Sequence, residues 1–350
     1  MLTSRVIFFI LIPIFQRKNS VRLPKFDYHC PETVREACSV LKEHKGNAKI
    51  LAGGTDLLVA MKQRAKKPAH LVSLRKIKEL KGFEYLSGKG LKIGPMSTLQ
   101  SVAKADIIIK KYPILSLAAD SVASQQIRNT GTIGGNICLD SRCWYYNQTQ
   151  LWRDAKPLCF KTKGSVCHVI KGSNRCNAVF SSDTATALMA LNAKVKILNS
   201  EGTSKTIPLD EFYSKTGEPV NILKEDEILT EILIPEDSQD GKSSFSRLAF
   251  RDGIEYPIAN TAIKITLENN KVCRDARIVT GAVTSFPIRT TEAENMLKGK
   301  KISADLINEV AKAASKEIKV IPYLWASPSY KRKMAETLVK RGIEKVLDFI

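Results

Sequence analysis

The sequence lacks an apolar run long enough to cross a membrane. Its most apolar stretch, Val6–Phe15, has ten residues, whereas a spanning helix needs roughly 20. Small residues suited to signal-peptide cleavage are also missing after this stretch, because Gln16–Asn19 follow it. We therefore expect no membrane association. We expect the ordered chain to begin near Val21, with residues 1–20 as an upstream extension or a mis-set start.

Acidic residues are scarce relative to basic ones, with 35 Asp and Glu against 55 Lys and Arg and a formal net charge of +20. A surplus of this size favours an anionic partner. The basic residues are spread along the chain, however, without an arginine-rich run or a recognition-helix or zinc-finger pattern. We expect no nucleic-acid binding and interpret the surplus as a solvated basic face. The otherwise ordinary composition excludes a disordered or collagen-like protein.

The cysteines are few and unevenly distributed. Three of the eight stand alone in the sequence, whereas five fall within 39 positions: Cys138, Cys143, Cys159, Cys167 and Cys176. Without an export signal, the expected compartment is the cytoplasm, where clustered cysteines favour a metal over disulfides. Zinc is one possible metal, although structural zinc sites usually have paired C-x₂₋₄-C spacing, which is missing here.

Two glycine-rich segments lie in the first half of the chain. Ile50–Leu57 places two glycines between a predicted strand and a predicted helix, and Gly131–Asn136 carries three more glycines. Successive N–H groups beside a helix N-terminus can bind an anion. Neither segment has the G-x-G-x-x-G order or the lysine of a P-loop, so each alone is also compatible with a plain turn. Together they favour a diphosphate-bearing cofactor.

The segment Leu139–Phe180 differs in character from the rest of the chain. It holds four of the clustered cysteines, seven Lys or Arg against two Asp, and the aromatic residues Trp144, Tyr145, Tyr146 and Trp152. Because no helix or strand period persists through it, we interpret it as an insertion held by something other than a hydrophobic core. Further along, the polar stretch Glu236–Ser244 is the best candidate for a domain boundary, and the fold class is α+β.

Three motifs carry a specific resemblance: A-G-G-T-D-L-L, I-R-N-T-G-T-I-G-G-N-I and S-S-D-T-A-T-A-L. They resemble the FAD-binding subunit of the molybdenum hydroxylase (xanthine dehydrogenase) family, and the similarity continues through Arg251–Pro257 and Tyr330–Arg332. The resemblance implies a two-part FAD-binding domain of the vanillyl-alcohol-oxidase (PCMH-like) type over residues 21–236. It also implies a smaller C-terminal α+β domain of the molybdenum hydroxylase flavoprotein type over residues 243–350.

The same resemblance implies the residues that bind FAD. The first and second loops would cradle its pyrophosphate and ribityl chain with backbone amides: Ile50, Leu51, Ala52, Gly53, Gly54, Thr55, Asp56, Leu57, Thr132, Ile133, Gly134, Gly135 and Asn136. Asp183 matches an acidic residue that reaches the flavin side, and Arg247 occupies a position where relatives carry Lys. Ile228 would lie against the isoalloxazine ring, although a core strand residue explains it equally well.

The insertion resembles the extra loop of flavin subunits of the 4-hydroxybenzoyl-CoA reductase type, which binds a [4Fe–4S] cluster. By this resemblance the cluster ligands are Cys143, Cys159, Cys167 and Cys176, and four thiolates suit such a cluster. Cys138 and His168 are expected to stay unliganded.

The function implied is electron relay within a heterotrimeric molybdenum enzyme, in which this oxidoreductase subunit has no catalytic residues of its own. Electrons would pass from a ferredoxin-like donor through the cluster and FAD to a [2Fe–2S] small subunit and a molybdopterin-binding large subunit, in a dimer of heterotrimers. The basic insertion would steer an acidic ferredoxin. The alternatives are the FAD subunit of an oxidative hydroxylase acting on xanthine, an aldehyde or carbon monoxide, a FAD-binding module with a zinc loop and, last, a nucleic-acid-binding protein.

Overall fold

The computed structural model describes residues 22–251, 253–268, 271–324 and 326–347. The apolar run Val6–Phe15 and the extension proposed for residues 1–20 lie outside the described residues. Over the described ranges, every helix is too short or too polar to cross a bilayer. The described residues form helices together with one parallel and two antiparallel sheets, which confirms the predicted α+β class.

The N-terminal part is a small three-stranded parallel sheet with strand order β1-β3-β2. Its strands and the helices between them are β1 (Asp27–His29), α1 (Val34–Glu43), β2 (Ala48–Leu51), α2 (Leu57–Lys62) and β3 (His70–Ser73). The sequence predicts a strand over Val21–Tyr28, of which Val21 lies outside the described residues. The observed β1 begins only at Asp27, since Pro24 has no N–H to donate to a ladder. Helix α1 begins with a capping box in which Thr33 and Glu36 bond each other's backbone.

The middle of the chain builds a five-stranded antiparallel sheet with strand order β4-β5-β8-β6-β7. The strands are β4 (Phe83–Leu86), β5 (Gly90–Ile93), β6 (Lys194–Leu198), β7 (Ser204–Pro208) and β8 (Ile228–Ile234). The helices are α3 (Leu99–Lys104), α4 (Asp106–Lys111), α5 (Pro113–Asp120), α6 (Gln125–Arg128), α7 (Ile133–Ile137) and α9 (Asp183–Ala190). The largest hydrophobic core lies between this sheet and these helices.

The insertion leaves this core after α7 and returns at α9. It contains the five-residue helix α8 (Gln150–Asp154) and a 3₁₀ turn at Phe160–Thr162. Its two ends are joined by an antiparallel bridge in which Arg142 and Val179 exchange backbone hydrogen bonds of 2.7 and 2.9 Å. The insertion is therefore a closed loop on the surface of the FAD-type domain and has little regular structure, as its lack of periodicity predicts.

The C-terminal part is a four-stranded antiparallel sheet with strand order β12-β11-β10-β9. Its elements are β9 (Lys242–Leu248), β10 (Ala259–Leu267), β11 (Cys273–Gly281), β12 (Ile288–Arg289), α10 (Thr291–Leu297), α11 (Ala304–Glu317) and α12 (Pro328–Leu347). The three helices form a second core on this sheet. Helix α9 also packs on β10 and β11, so the helix that follows the insertion joins the two parts of the molecule.

Candidate functional site

A cavity of about 550 Å³ lies where the parallel sheet, the five-stranded sheet and the C-terminal part meet. Its size falls within the range of cofactor sites. Of the residues expected to bind FAD, these line it: Ile50, Ala52, Gly53, Gly54, Thr55, Asp56, Leu57, Thr132, Gly134, Gly135, Asn136, Asp183 and Ile228. The structure therefore brings together loops that are about 80 residues apart in the sequence.

Three of the expected residues do not line the cavity. Leu51 is half-buried in β2, and Ile133 lies fully buried in the largest core. Arg247 lies behind the cavity wall, where it contacts Asp183. These three assignments stay predictions, and for Arg247 the structure offers a different role.

Glycine is required at the first loop because the two glycine loops touch. A Cβ atom added to Gly53 would lie 2.2 Å from the carbonyl oxygen of Thr130. Gly54 has a φ of +74°, in the left-handed region that favours glycine. The close approach leaves the backbone of both loops exposed along one wall of the cavity, where N–H groups can meet a phosphate.

Asn136 fixes the second loop to the helix that follows the insertion. Its Oδ1 atom accepts hydrogen bonds from the Ser182 and Thr184 hydroxyls, at 2.7 and 2.6 Å. Thr132 caps the short helix α7 by accepting a 3.1 Å hydrogen bond from the N–H of Gly135. The second and third motifs of the sequence are thus one hydrogen-bonded unit.

Asp183 is a buried carboxylate at the cavity wall, with only 3% of its surface exposed. Asn260 Nδ2 donates a 2.6 Å hydrogen bond to its Oδ1, and Arg247 Nε lies 3.4 Å from its Oδ2. Burial raises the pKa of Asp183 to about 6, and the Arg247 charge and the Asn260 hydrogen bond oppose this rise. Arg247 also donates a hydrogen bond to the Glu255 carbonyl.

A large part of the cavity wall consists of residues that the sequence motifs do not predict. The turn from Glu218 to Asn221 and the segment from Leu223 to Glu225 line it, as do Lys66 and the loop from Ile254 to Pro257. The motif Arg251–Pro257 contributes to the family resemblance, although the sequence alone predicts no role for it in the site. The turn at Glu218 carries only the ordinary signal of a Gly-Glu-Pro sequence, which indicates a turn but no binding site.

The four expected cluster ligands line one small second cavity. Cys143, Cys159, Cys167 and Cys176 all face it, together with Tyr145 and His168. His168 Nε2 lies 2.9 Å from the carbonyl oxygen of Pro157. Cys138 instead lines the large cavity. The insertion therefore gathers four sulfur donors from residues spread over its whole length.

The thiols of this second cavity differ in their surroundings. Burial raises the pKa of Cys143 and raises that of Cys176 to about 11. Burial also raises the pKa of Cys167, but hydrogen bonds from Asn177 and from backbone N–H groups outweigh it and lower the pKa overall. Asn177 Nδ2 lies 3.4 Å from the Cys167 sulfur.

The four sulfur atoms lie around one cavity without a compact trio among them. Within the ranges that the structure describes, no three of the four Sγ atoms lie within 4.8 Å of one another. In a zinc site with bonds of about 2.3 Å, sulfur atoms lie about 3.8 Å apart. A single zinc ion would therefore require these side chains to move closer together.

Two ion pairs of the buried Lys161 connect the two cavities. Lys161 faces the second cavity, and its side chain is 1% exposed; its Nζ lies 2.6 Å from Asp140 and 3.1 Å from Glu218. Both carboxylates line the large cavity. Burial lowers the pKa of Lys161, but the two carboxylates outweigh it and raise the pKa above its ordinary value.

Arg142 makes a second connection at the base of the insertion. Its guanidinium lies 3.7 Å from Asp56 of the first glycine loop and stacks on Tyr256, 4.3 Å from the ring centroid. Burial raises the pKa of Asp56, and the Arg142 charge opposes the rise. One side chain therefore joins the insertion, the glycine loop and the C-terminal part.

Comparison with known families identifies both parts of the chain. Residues 24–237 match the family described as "FAD binding domain in molybdopterin dehydrogenase". Residues 244–346 match the "CO dehydrogenase flavoprotein C-terminal domain". The first match alone covers more than half of the chain.

Individual relatives match over nearly the whole length. The carbon monoxide dehydrogenase medium chain of Hydrogenophaga pseudoflava is 28% identical, covering 91% of this chain and 96% of that protein. A putative xanthine dehydrogenase FAD-binding subunit of Escherichia coli K12 is 24% identical, covering 91% and 95%. The solved structure of the Hydrogenophaga pseudoflava enzyme that lacks the Mo-pyranopterin moiety superimposes with a TM-score of 0.78 at 26% identity, covering 93% of this chain and 99% of that one.

Proposed function

The chain belongs to the family of FAD-binding subunits of molybdenum hydroxylases, and from this premise we propose that it transfers electrons within an oxidative enzyme of the carbon monoxide, xanthine or aldehyde dehydrogenase type. The observation that carries the proposal is the cavity of about 550 Å³ between the two glycine loops. The relatives named above support it, because their names describe carbon monoxide and xanthine dehydrogenases.

The residues of the cavity fit FAD in shape and chemistry. The two glycine loops touch at Gly53 and Gly131 and offer backbone N–H groups to a pyrophosphate, and a side chain at Gly53 would clash with the second loop. Asn136 and Asp183 hold the far wall through their hydrogen bonds to α9 and β10. Bound FAD exchanges electrons singly or in pairs. The chain itself positions that group and excludes water from one side of it.

The partners we propose are a molybdopterin-binding large subunit and a [2Fe–2S] small subunit, in a dimer of heterotrimers. The description of the first relative as a medium chain supports a multi-subunit enzyme. All eight cysteines are free of disulfides, which supports a cytoplasmic location.

Flavin content tests the proposal first. Purified chain should carry about one FAD, seen by absorption and by extraction of the nucleotide. The complex assembled with its partner subunits should then lose flavin absorbance anaerobically on addition of xanthine, an aldehyde or carbon monoxide. A colourless protein that binds no FAD would contradict the proposal and favour the alternative of a nucleic-acid-binding protein.

We also propose a second, finer function, in which the insertion binds a [4Fe–4S] cluster and the enzyme resembles 4-hydroxybenzoyl-CoA reductase. The observation that favours it is the convergence of Cys143, Cys159, Cys167 and Cys176 on one cavity. Four thiolates are the donor set of such a cluster, and the surrounding aromatic side chains would tune its potential. Electrons would then enter from a ferredoxin-like donor and leave toward the [2Fe–2S] subunit.

Metal analysis distinguishes the two functions. After anaerobic purification, the second proposal predicts about four iron and four sulfide per FAD. Cys159→Ser should lose the iron and keep the FAD, whereas Cys273→Ser, which changes a cysteine in β11 outside the insertion, should keep both. FAD with zinc or with no metal would contradict the cluster and leave the oxidative function.

The basic insertion provides a further test of the electron donor. If an acidic ferredoxin docks there, the rate at which it reduces the flavin should fall steeply with ionic strength, because attraction between exposed charges is screened within about 10 Å at 0.1 M salt. A rate that is flat with salt would remove the ferredoxin from the proposal.

A further inference from the structure

Three of the four histidines of the chain meet on the outside of the N-terminal sheet. His29 ends β1, His70 begins β3 and His44 is the C-cap of α1. One ring nitrogen from each lies within 4.8 Å of the other two. None of the three lines the cavities described above, so this cluster has no part in the proposed FAD or cysteine sites.

The fold fixes the positions of these side chains. Strands β1 and β3 pair in parallel, with Asp27 opposite His70 and His29 opposite Val72. The backbone of His44 is held on both sides, since its N–H donates to the Val40 carbonyl at 3.1 Å and its own carbonyl accepts from Asn47 at 2.9 Å. The imidazoles therefore converge because of β-pairing and helix capping, and not through a flexible loop.

The imidazole geometry is close to that of a shared metal ion. His29 Nε2 lies 3.1 Å from His70 Nδ1, and two nitrogens bound tetrahedrally at about 2.05 Å to one zinc ion lie about 3.3 Å apart. The rings of His44 and His70 are stacked, with centroids 3.6 Å apart and planes 9° apart. One His44 nitrogen already lies within 4.8 Å of the ligand nitrogens of His29 and His70.

The immediate surroundings also suit a cation. Asp27 Oδ2 lies 3.6 Å from His70 Nδ1, and Glu43 Oε1 lies 3.9 Å from His44 Nε2. The side chains of His44 and His70 are 24% and 19% exposed, whereas that of Asp27 is 79% exposed. The rings of His44 and His70 are thus partly shielded from solvent, and one exposed carboxylate lies beside them.

From this geometry we propose that His29, His44 and His70 bind one divalent transition-metal ion, with zinc as the expected occupant. Neutral imidazole suits zinc and its neighbours in the first transition series. Three histidines supply three ligands of a tetrahedron, and Asp27 or a water molecule completes the fourth. The bound ion joins two strands of the parallel sheet to the end of α1, so it braces the N-terminal part of the FAD-type domain.

Cobalt binding tests the proposal on the full-length, FAD-loaded chain. Co²⁺ replaces Zn²⁺ and gives visible absorption, and thiolate-to-cobalt charge transfer separates cysteine ligation from imidazole ligation. After treatment with a chelator, wild type should bind one Co²⁺ that shows no thiolate charge transfer, in addition to any Co²⁺ held by the cysteines of the insertion, and Zn²⁺ should displace it. His44→Asn and His29→Gln should each weaken this binding by at least about 10-fold, because even changes to groups behind the ligands cost 10–100-fold in affinity.

The fourth histidine provides a matched control. His168 lies in the insertion, and His168→Asn should leave the imidazole-only cobalt spectrum unchanged. FAD content measured on each variant shows whether the fold is intact, and His29→Gln, at the edge of the sheet, provides a second variant if His44→Asn fails to fold. Equal cobalt affinity in wild type, His29→Gln and His44→Asn would overturn the proposal, as would a spectrum in which every bound Co²⁺ shows thiolate ligation.

Discussion

Removal of Arg247 should lower the free energy of unfolding, because the buried Asp183 carboxylate then loses its cation. Asp183 is 3% exposed and its pKa is raised from 3.8 to about 6. At 1.36 kcal/mol per pKa unit, this rise corresponds to about 3 kcal/mol against the ionised form in the folded protein. Arg247, 3.4 Å away, keeps the penalty from being larger. Arg247→Met leaves the charge unpaired and should destabilise the protein by about 3–5 kcal/mol at neutral pH.

The pH dependence gives this prediction a definite sign. Because the pKa of Asp183 is higher in the folded state, the folded protein binds more protons than the unfolded chain between about pH 4 and pH 6. The contribution of this group to stability is therefore complete below pH 4 and is lost as the pH rises through 6. In Arg247→Met the pKa of Asp183 rises further, so that the loss continues toward neutral pH. The defect should be much smaller at pH 5 than at pH 8.

Urea unfolding at a constant concentration of free FAD, from pH 4 to pH 8, measures these differences. Asp183→Asn in the Arg247→Met background should recover most of the lost stability, because it removes the unpaired charge. Arg251→Met is the matched control: the Arg251 side chain is 74% exposed and pairs with Glu255 at the surface, so its loss should cost no more than about 1 kcal/mol. An Arg247→Met defect that is equal at pH 5 and pH 8, or that Asp183→Asn does not relieve, would refute the reasoning.

Three further predictions concern other parts of the chain. Gly53→Ala should abolish FAD binding, because its Cβ would lie 2.2 Å from the Thr130 carbonyl oxygen. The control Gly253→Ala, which has open space around it, should bind FAD normally. Titration with FAD, followed by fluorescence, measures both affinities. Burial lowers the pKa of Lys331 to about 8, so that between pH 8 and 10.5 only the unfolded chain still binds the lysine proton. The free energy of unfolding of wild type, measured in urea, should therefore rise by up to about 3 kcal/mol relative to Lys331→Met over this range. Parallel pH profiles of the two proteins would contradict this prediction. Lys161→Met removes the buried cation between the half-buried carboxylates of Asp140 and Glu218, of which Asp140 keeps Lys66 at 3.3 Å. It should destabilise the protein by about 1–3 kcal/mol and reduce the iron content of the insertion. Unchanged stability and iron would contradict this prediction.

The local signals of the sequence were sufficient for many elements. The hairpin Phe83–Leu86 with Gly90–Ile93 lies where its turn residues predict, and β8 and α11 follow their apolar patterns. The strand expected from Val21 is wrong over most of its length. There Pro24 interrupts an alternation of apolar and charged residues, and the pairing of β1 with β3 begins only at Asp27.

The sequence by itself determined which residues could do chemistry. The glycine loops and the four cysteines stand out because their residue types are unusual at those positions, and the reason is local: glycine permits a close backbone approach and cysteine provides a sulfur donor. The family resemblance then named the cofactor. No pattern along the chain indicates that Arg247 lies behind the cavity wall and pairs with Asp183.

Only the tertiary structure decided which of these groups meet. Arg142 joins Asp56 to Tyr256, three residues far apart in the sequence, and His29, His44 and His70 converge because β1 pairs with β3. Such contacts depend on how sheets pair and pack, and side-chain periodicity carries no information about which distant strand will be the neighbour. The sequence therefore supplied the chemical groups, and the long-range pairing of the chain brought them into contact.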